Sequence, residues 1–403
     1  MEKRAGELNC FVHDSITLKP AGSGRLDGKT FVVKDLISVA GHTSSFGHPK
    51  WRETHEPAST TAPVVMRMLK NGAGMVGLVK MDQLAYSLIG NVGEDIAPLN
   101  ARYPDRFTGG SSSGPASAVA GGAADIGIGT DTAGSIRVPS AACGIFGLRP
   151  THASISTDGV IPLAQSFDTV GVMSRSAATL RDAVLAITDL PARDREKKGR
   201  VLIPEQDSLA VSASTKVMIE RVGDAISSLL DAPLETAGLE TLYEKGVGDL
   251  FARIQGREIW TNHSEWVGRN GEYLADDVRV RLDRCRQSSL ATREARNADE
   301  NARRAYRDSL DSLMGGQNVI VLPVISDLMV MRDSTLDLQR EFRLTVFNFM
   351  APASLAGLPE VVVPVRDETG IDRGVGILGA RGADRMLLDI AVEMAGGKTH
   401  IKL

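Results

Sequence analysis

Between Gly109 and Pro150 the chain reads GGSSSGPASAVAGGAADIGIGTDTAGSIRVPSAACGIFGLRP, where serines, Asp131 and Arg137 are set among glycine and alanine. A serine becomes an acyl-transfer nucleophile once a neighbouring base takes its proton. Small residues around it let backbone N–H groups come close to a ligand, an anion or another main chain. A flexible Gly/Ser linker lacks regularly spaced apolar residues. Here Ala116, Val119 and Ala120 fall at helical spacing, and Ile126 and Ile128 alternate like a short buried strand. The spacing predicts two tight serine-bearing loops joined through a helix and a strand.

Several chemistries compete for these serines. Gly110–Gly114 (GSSSG) matches the GxSxG nucleophile elbow with Ser112 at its centre, but that elbow follows an apolar strand. The preceding Tyr103–Thr108 (YPDRFT) reads as a turn. The chain has no GxxxxGK[ST] phosphate loop, and its seven histidines form no HxxxH or HExxH pair, so no metal site is expected. A tightly packed Gly/Ala-rich helix–strand pair would leave Asp131, Ser135 and Arg137 unexplained. Lys34 can supply the missing base, although a lysine by itself is usually a solvated surface charge. It closes the apolar run Phe31–Val33, and if it is buried at the edge of a sheet, desolvation can lower its pKa enough to free its proton near neutral pH. A Ser–Lys pair activates a hydroxyl without histidine.

The elements that must hold these groups follow from the wider pattern. Phe31–Val33 and Met75–Val79 read as strands, and Thr60–Leu69 as a helix ended by Asn71-Gly72; a helix is expected over about Met81–Leu88. From about Arg193 to Gly316 glycine becomes sparse and charge dense, with long helices predicted at Ser214–Leu230 and Asp276–Met314. Strands return at Asn318–Pro323, Glu360–Val365 and Gly374–Gly379, before a last helix at about Ala383–Ala395. The reading is one α/β domain over residues 1–403 interrupted by a helical insertion at 193–316. At 403 residues and 42% hydrophobic content a large core is affordable, and a net charge of −4 gives no reason to expect nucleic acid or anionic membrane. No apolar run approaches the roughly 18 residues of a spanning helix. Three scattered cysteines and an N-terminus without an apolar core point to the cytoplasm.

At these residues the chain resembles the amidase signature family. That family's GGSSGG element stands here as Gly109–Gly114, and its GTDTGGSIRxP element as Gly129–Pro139 (GTDTAGSIRVP). VVKDLISVAG around Lys34, CGIFGLRPTH after the core and Ser166–Gly171 (SFDTVG) extend the likeness over most of the chain. The resemblance implies a Ser–cis-Ser–Lys triad of Ser135 as nucleophile, Ser111 as bridge and Lys34 as base. The family's spacing between the two serines selects Ser111 over Ser112, and Gly110-Ser111 is expected to be cis. Backbone N–H groups of Thr132, Ala133, Gly134 and Ser135 are expected to form the oxyanion hole, with Ser112, Asp131 and Arg137 in support. The resemblance also implies a central mixed sheet covered by helices, with the 193–316 insertion shaping the substrate pocket; no cofactor is expected, and a homodimer is compatible with the family.

Two departures bear on the site. Ala133 replaces the family's usual glycine, which would matter if that position required positive φ. Pro115 opens the helix after Gly114, where its missing N–H is harmless. The shorter N-terminal region, Met81-Asp82, Ala164–Val170 and Asn262–Trp266 resemble the indole-3-acetamide hydrolase branch, which implies a small primary amide such as an aryl-acetamide. Phe167, Trp266, Phe347 and Phe349 are candidate acyl-pocket walls, with loops near Ile161–Phe167 and Phe347–Pro352. Arg279, Arg281 and Arg343 are candidates for a substrate carboxylate, and Cys143 reads as core packing. The alternatives are a ureido-, carboxybiuret- or allophanate-type hydrolase, a glutaminase subunit of an amidotransferase, and a non-catalytic amidase-like interaction module. The last would be expected to lose triad residues, and all three are present.

Overall fold

The computed structural model describes residues 5–91, 97–189, 199–205, 209–237, 242–243 and 245–402. Short apolar runs form the strands β1 (Thr30–Lys34), β2 (Gly74–Val79), β3 (Ile126–Asp131), β4 (Phe146–Arg149), β5 (Thr169–Ser174), β6 (Val201–Pro204), β7 (Leu234–Ala237), β8 (Val319–Pro323), β9 (Glu360–Arg366), β10 (Asp372–Gly379) and β11 (Ile401–Lys402). Among the described residues they make one mixed sheet in the order β2-β1-β3-β5-β4-β9-β10-β8-β6-β7, with β11 beside β9. The β2-β1-β3 and β8-β6-β7 ends are parallel, and the strands between them pair antiparallel. Every residue of β3, β4, β5 and β10 is buried. Burial on both faces explains why these strands read as continuous small or apolar runs rather than alternating ones.

Helices flank the sheet, and the two that matter for the serines are Ser113–Ala120 and Arg137–Cys143. Helix Ser113–Ala120 can lie directly on β3 because β3 carries glycine beneath it. A Cβ at Gly127 would come 3.1 Å from both Pro115 and Val119. Helix Arg137–Cys143 packs on β9 and β10 and is stopped by Gly144 in the left-handed conformation, φ 63°.

The single α/β domain with a central mixed sheet is the architecture expected from sequence. Four details differ. Over Met81–Leu88 the structure has a single 3-10 turn at Gln83–Ala85. There the backbone is claimed by neighbouring loops, Asp82 N–H donating to Ser111 O and Leu84 N–H to Phe46 O, and Leu84 and Ala85 take positive φ. The long helix expected over Asp276–Met314 is two, Asp276–Ser289 and Arg293–Met314, because Thr292 caps the second by accepting from Ala295 N–H. The insertion is not purely helical, since β6 and β7 extend the main sheet through the helix Ala213–Leu230; its starting residue, Arg193, lies outside the described residues. Phe347–Pro352 is no loop but part of the helix Leu336–Ala356.

Candidate active site

Parallel pairing of β1 with β3 sets the base beside the serine loops. Val33 lies opposite Ile128, so Lys34 ends β1 next to the carboxyl end of β3. Its side chain is fully buried. Nζ donates to Ser111 Oγ at 2.8 Å and to Thr130 Oγ1 at 2.9 Å, and Ser111 Oγ donates to Ser135 Oγ at 3.0 Å. The three groups therefore form one unbroken hydrogen-bonded line. Ser111 is placed by the turn leading into helix Ser113–Ala120, and its peptide bond with Gly110 is cis, as the resemblance implied. Ser135 sits on the short loop between β3 and helix Arg137–Cys143, beyond the carboxyl end of a strand where open α/β sheets commonly bind ligands.

Burial makes Lys34 easier to deprotonate. Desolvation pushes its pKa down to about 7, although the carboxylates of Asp82, Asp131 and Asp168 oppose the shift. Asp82 is fully buried, and burial raises its carboxyl to about 6 against the nearby lysine and the N–H of Gly90, which donates to its Oδ2 at 2.9 Å. Its Oδ1 has no hydrogen-bond partner among the described residues. The carboxylate lies against the cis peptide, and a Cβ on Gly110 would come 2.3 Å from Asp82 Oδ2.

Asp131 holds the loop that carries Ser135. It accepts backbone N–H groups from Gly134 (2.9 Å), Ile136 (3.1 Å) and Arg137 (3.3 Å), together with the guanidiniums of Arg137 and Arg149. Burial alone would raise its pKa, but the two arginines outweigh it and keep the group ionised well below the usual carboxylate range. Arg137 continues the network to Glu360 at 2.6 Å and Ser354 at 2.9 Å. It braces the loop from behind, as does Arg149, whose other nitrogen reaches Phe167 O at 3.0 Å. Ser112 turns to the backbone of Thr130, 3.2 Å from its carbonyl oxygen, and does not bond Lys34.

The expected oxyanion hole needs one correction. The N–H of Gly134 is taken by Asp131 and is not free for a substrate oxygen. Gly134 serves the loop instead by its φ of +112°, and a Cβ there would meet Met350 Cγ at 2.5 Å. Ala133 is outside the positive-φ set, so it fits where the family usually has glycine. The amides of Thr132, Ala133 and Ser135 have no acceptor among the described residues. Thr132 is fixed by its hydroxyl, which donates to Asp168 Oδ1 at 2.6 Å.

Ser135, Thr132 and Ala133 open into a cavity of about 360 Å³, walled by Tyr86, Leu88, Leu163 and Phe347 and by arginines of the helices Asp276–Ser289 and Leu336–Ala356. Of the four aromatics proposed as walls, Phe347 alone lines it. Phe167 is buried against Phe251, Phe349 packs in the core, and Trp266 packs at a tilt against Trp51 and donates to Thr54 Oγ1. Arg281 and Arg343 line the cavity, whereas Arg279 pairs with Asp276 outside it. Cys143 is buried against Thr108 O, and burial pushes its thiol far up, which fits packing rather than reactivity. Sequence reasoning missed Thr130 and gave no role to Asp82, Arg149, Asp168 or Glu360. Asp82, Arg149 and Asp168 lay inside quoted motifs, but no local spacing tied them to the serines.

A sequence profile of the Amidase family matches residues 15–242. The chain is 31% identical to Amidase 1 of Oryza sativa subsp. japonica over 96% of its length and 95% of the relative's. A solved structure described as an amidase superposes with a TM-score of 0.80 at 25% identity, covering 94% of this chain and 86% of the other. The S177A allophanate hydrolase of Kluyveromyces lactis shares the fold, with a TM-score of 0.83 at 22% identity over 98% of this chain and 68% of that one. Among the described residues no helix is long and apolar enough to cross a membrane.

Proposed function

The chain belongs to the amidase family, whose members hydrolyse amide C–N bonds, and from that premise we propose that Ser135 is the nucleophile, Ser111 the proton bridge and Lys34 the base. The observation that carries this reading is the buried hydrogen-bonded line from Lys34 through Ser111 to Ser135, ending in a cavity. Neutral Lys34 takes the proton of Ser111, which takes that of Ser135 as its Oγ bonds the amide carbon. The carbonyl π pair moves onto oxygen, where the free amides of Thr132, Ala133 and Ser135 receive it. The same chain returns the proton to nitrogen, the C–N bond breaks, and ammonia leaves. Water, activated by the reverse path, then frees the acid from Ser135. Asp131, Arg137 and Ser112 shape the loops and touch no reacting atom.

Our finer reading of the substrate is a small primary amide, with an aryl-acetamide such as indole-3-acetamide supported by the apolar surfaces of Tyr86, Leu163 and Phe347. The insertion's helices supply much of the selecting wall, and the three buried, unpaired cysteines support action in a reducing, cytoplasmic setting. Ammonia release across a panel of primary amides, compared among the native protein, Ser135→Ala and Lys34→Ala, tests the mechanism. Folded Ser135→Ala protein with native turnover would remove the nucleophile assignment.

A further inference from the structure

The cavity that holds Ser135 carries positive charge left unneutralised by its own neighbours. Arg343, from the helix Leu336–Ala356, lines the cavity and has no hydrogen-bond or ion-pair acceptor among the described residues. Arg281, from the helix Asp276–Ser289, lines it too and is 6% exposed. Its Nη1 donates to Asp277 at 2.7 Å, while Nε and Nη2 are buried with no hydrogen-bond partner among the described residues. Its guanidinium lies 5.6 Å from the centre of the Tyr86 ring, which forms part of the same wall. Arg284 adds a third cation. Asp249 is the carboxylate on the lining, and the fourth cation, Arg253, is already paired with Asp299 at 2.7 Å.

A guanidinium withdrawn from water without an acceptor is costly, and burying like charges together adds to that cost. Burial, with Arg281 and Arg284 adding like-charge repulsion, pushes Arg343 down to about 10. An arginine fork matches a carboxylate in shape as well as charge, so an anion on the ligand would supply the acceptors the wall lacks.

We propose that Arg343 and Arg281 form a carboxylate-holding wall of the Ser135 cavity, so that the preferred substrate is a small amide bearing an anionic group. The inference rests on Ser135 as nucleophile but replaces a neutral aryl-acetamide with acid-amides, carboxylated aryl-acetamides and ureido acids included. The test uses matched pairs, phenylacetamide against para-carboxyphenylacetamide and butyramide against glutaramate, with ammonia release as readout. The expected result is a kcat/KM preference of about tenfold or more for the anionic member of each pair. That preference shrinks with added salt, collapses in Arg343→Gln and in Arg281→Gln, and is partly kept by Arg343→Lys. A native ratio at or below one would overturn the proposal, as would a ratio unchanged in folded Arg343→Gln. Calorimetric titration of glutarate into Ser135→Ala reads the wall without turnover. Saturable binding that weakens in the Ser135→Ala/Arg343→Gln double variant supports it, and absence of binding sinks it. Should Ser135→Ala still release ammonia, the nucleophile reading fails, yet the glutarate titration still judges the arginines.

Discussion

The floor of the cavity and its wall are built on opposite principles. On the floor, charged and hydroxyl groups are buried and largely answered: Asp131 alone gathers three backbone N–H groups and two guanidiniums. On the wall, Arg343 has no acceptor among the described residues and Arg281 leaves two nitrogens without one. The floor is held on strands of the sheet and the loops at their ends, and the arginine wall on helices packed beyond it. A reaction that depends on 3 Å proton transfers needs groups that cannot wander, and a largely satisfied network held on a sheet provides that. A ligand-facing surface is the place where unsatisfied groups are useful, because the ligand completes them. On this contrast, floor substitutions should act on kcat or on folding, and wall substitutions on which amide is preferred.

The largest effect should fall on the floor. Ser135→Ala removes the atom that bonds the acyl group, and kcat/KM should drop about 10⁴-fold or more with no change in the melting profile. Ammonia release and circular dichroism on the same sample check both halves. Arg137→Met should instead act through stability. It strips Asp131 and Glu360 of a buried partner, leaving carboxylates in the core, and breaking such a pair costs about 3–5 kcal/mol. Denaturant titration reads this directly. An Arg137→Met protein as stable as the native one would show that the floor is not held by its ion network.

The same contrast explains what could be read in advance. Lys34, Ser111 and Ser135 were legible because two of them sit in dense local motifs and the third ends an apolar strand. The sheet was legible at its buried runs, Thr30–Lys34 or Val319–Pro323, and illegible at Val201–Pro204 and Leu234–Ala237, which are four residues long amid charged helices. Gly134 misled because its amide points to Asp131 only once the loop closes on itself. The wall was least legible. Phe167, Trp266 and Phe349 carry the same apolar character as Phe347, and only the packing of distant helices decides which ring reaches the cavity.

A smaller and more diagnostic effect concerns the base. Lys34 must be neutral to accept a proton, and its pKa is pushed down to about 7. kcat/KM should therefore rise with pH through about 7 and level off above it, since the amine is deprotonated only above its pKa. Asp82 is the first carboxylate opposing that depression. Asp82→Asn removes its charge while an amide oxygen can still accept Gly90 N–H, so Lys34 should lose its proton more easily. The acid limb should move to lower pH, by roughly one unit or less. A limb that stays in place would mean Asp82 is protonated throughout and exerts no field on the lysine.

The smallest effect should come from the apolar part of the wall, and it is the sharpest test of the contrast. Phe347 lies in a helix, touches the cavity with one face and stacks on Phe251 with its ring 5.0 Å away. Phe347→Ala would enlarge the acyl end of the cavity without reaching Ser135 or the loop that carries it. The lost contact should raise KM for aromatic amides by about tenfold or less, leave KM for short aliphatic amides nearly as it was, and leave kcat for both within a few-fold. A fall in kcat shared by aromatic and aliphatic substrates would mean that the wall transmits strain to the serine loops, and the division between a fixed floor and a selective wall would then be wrong for this fold.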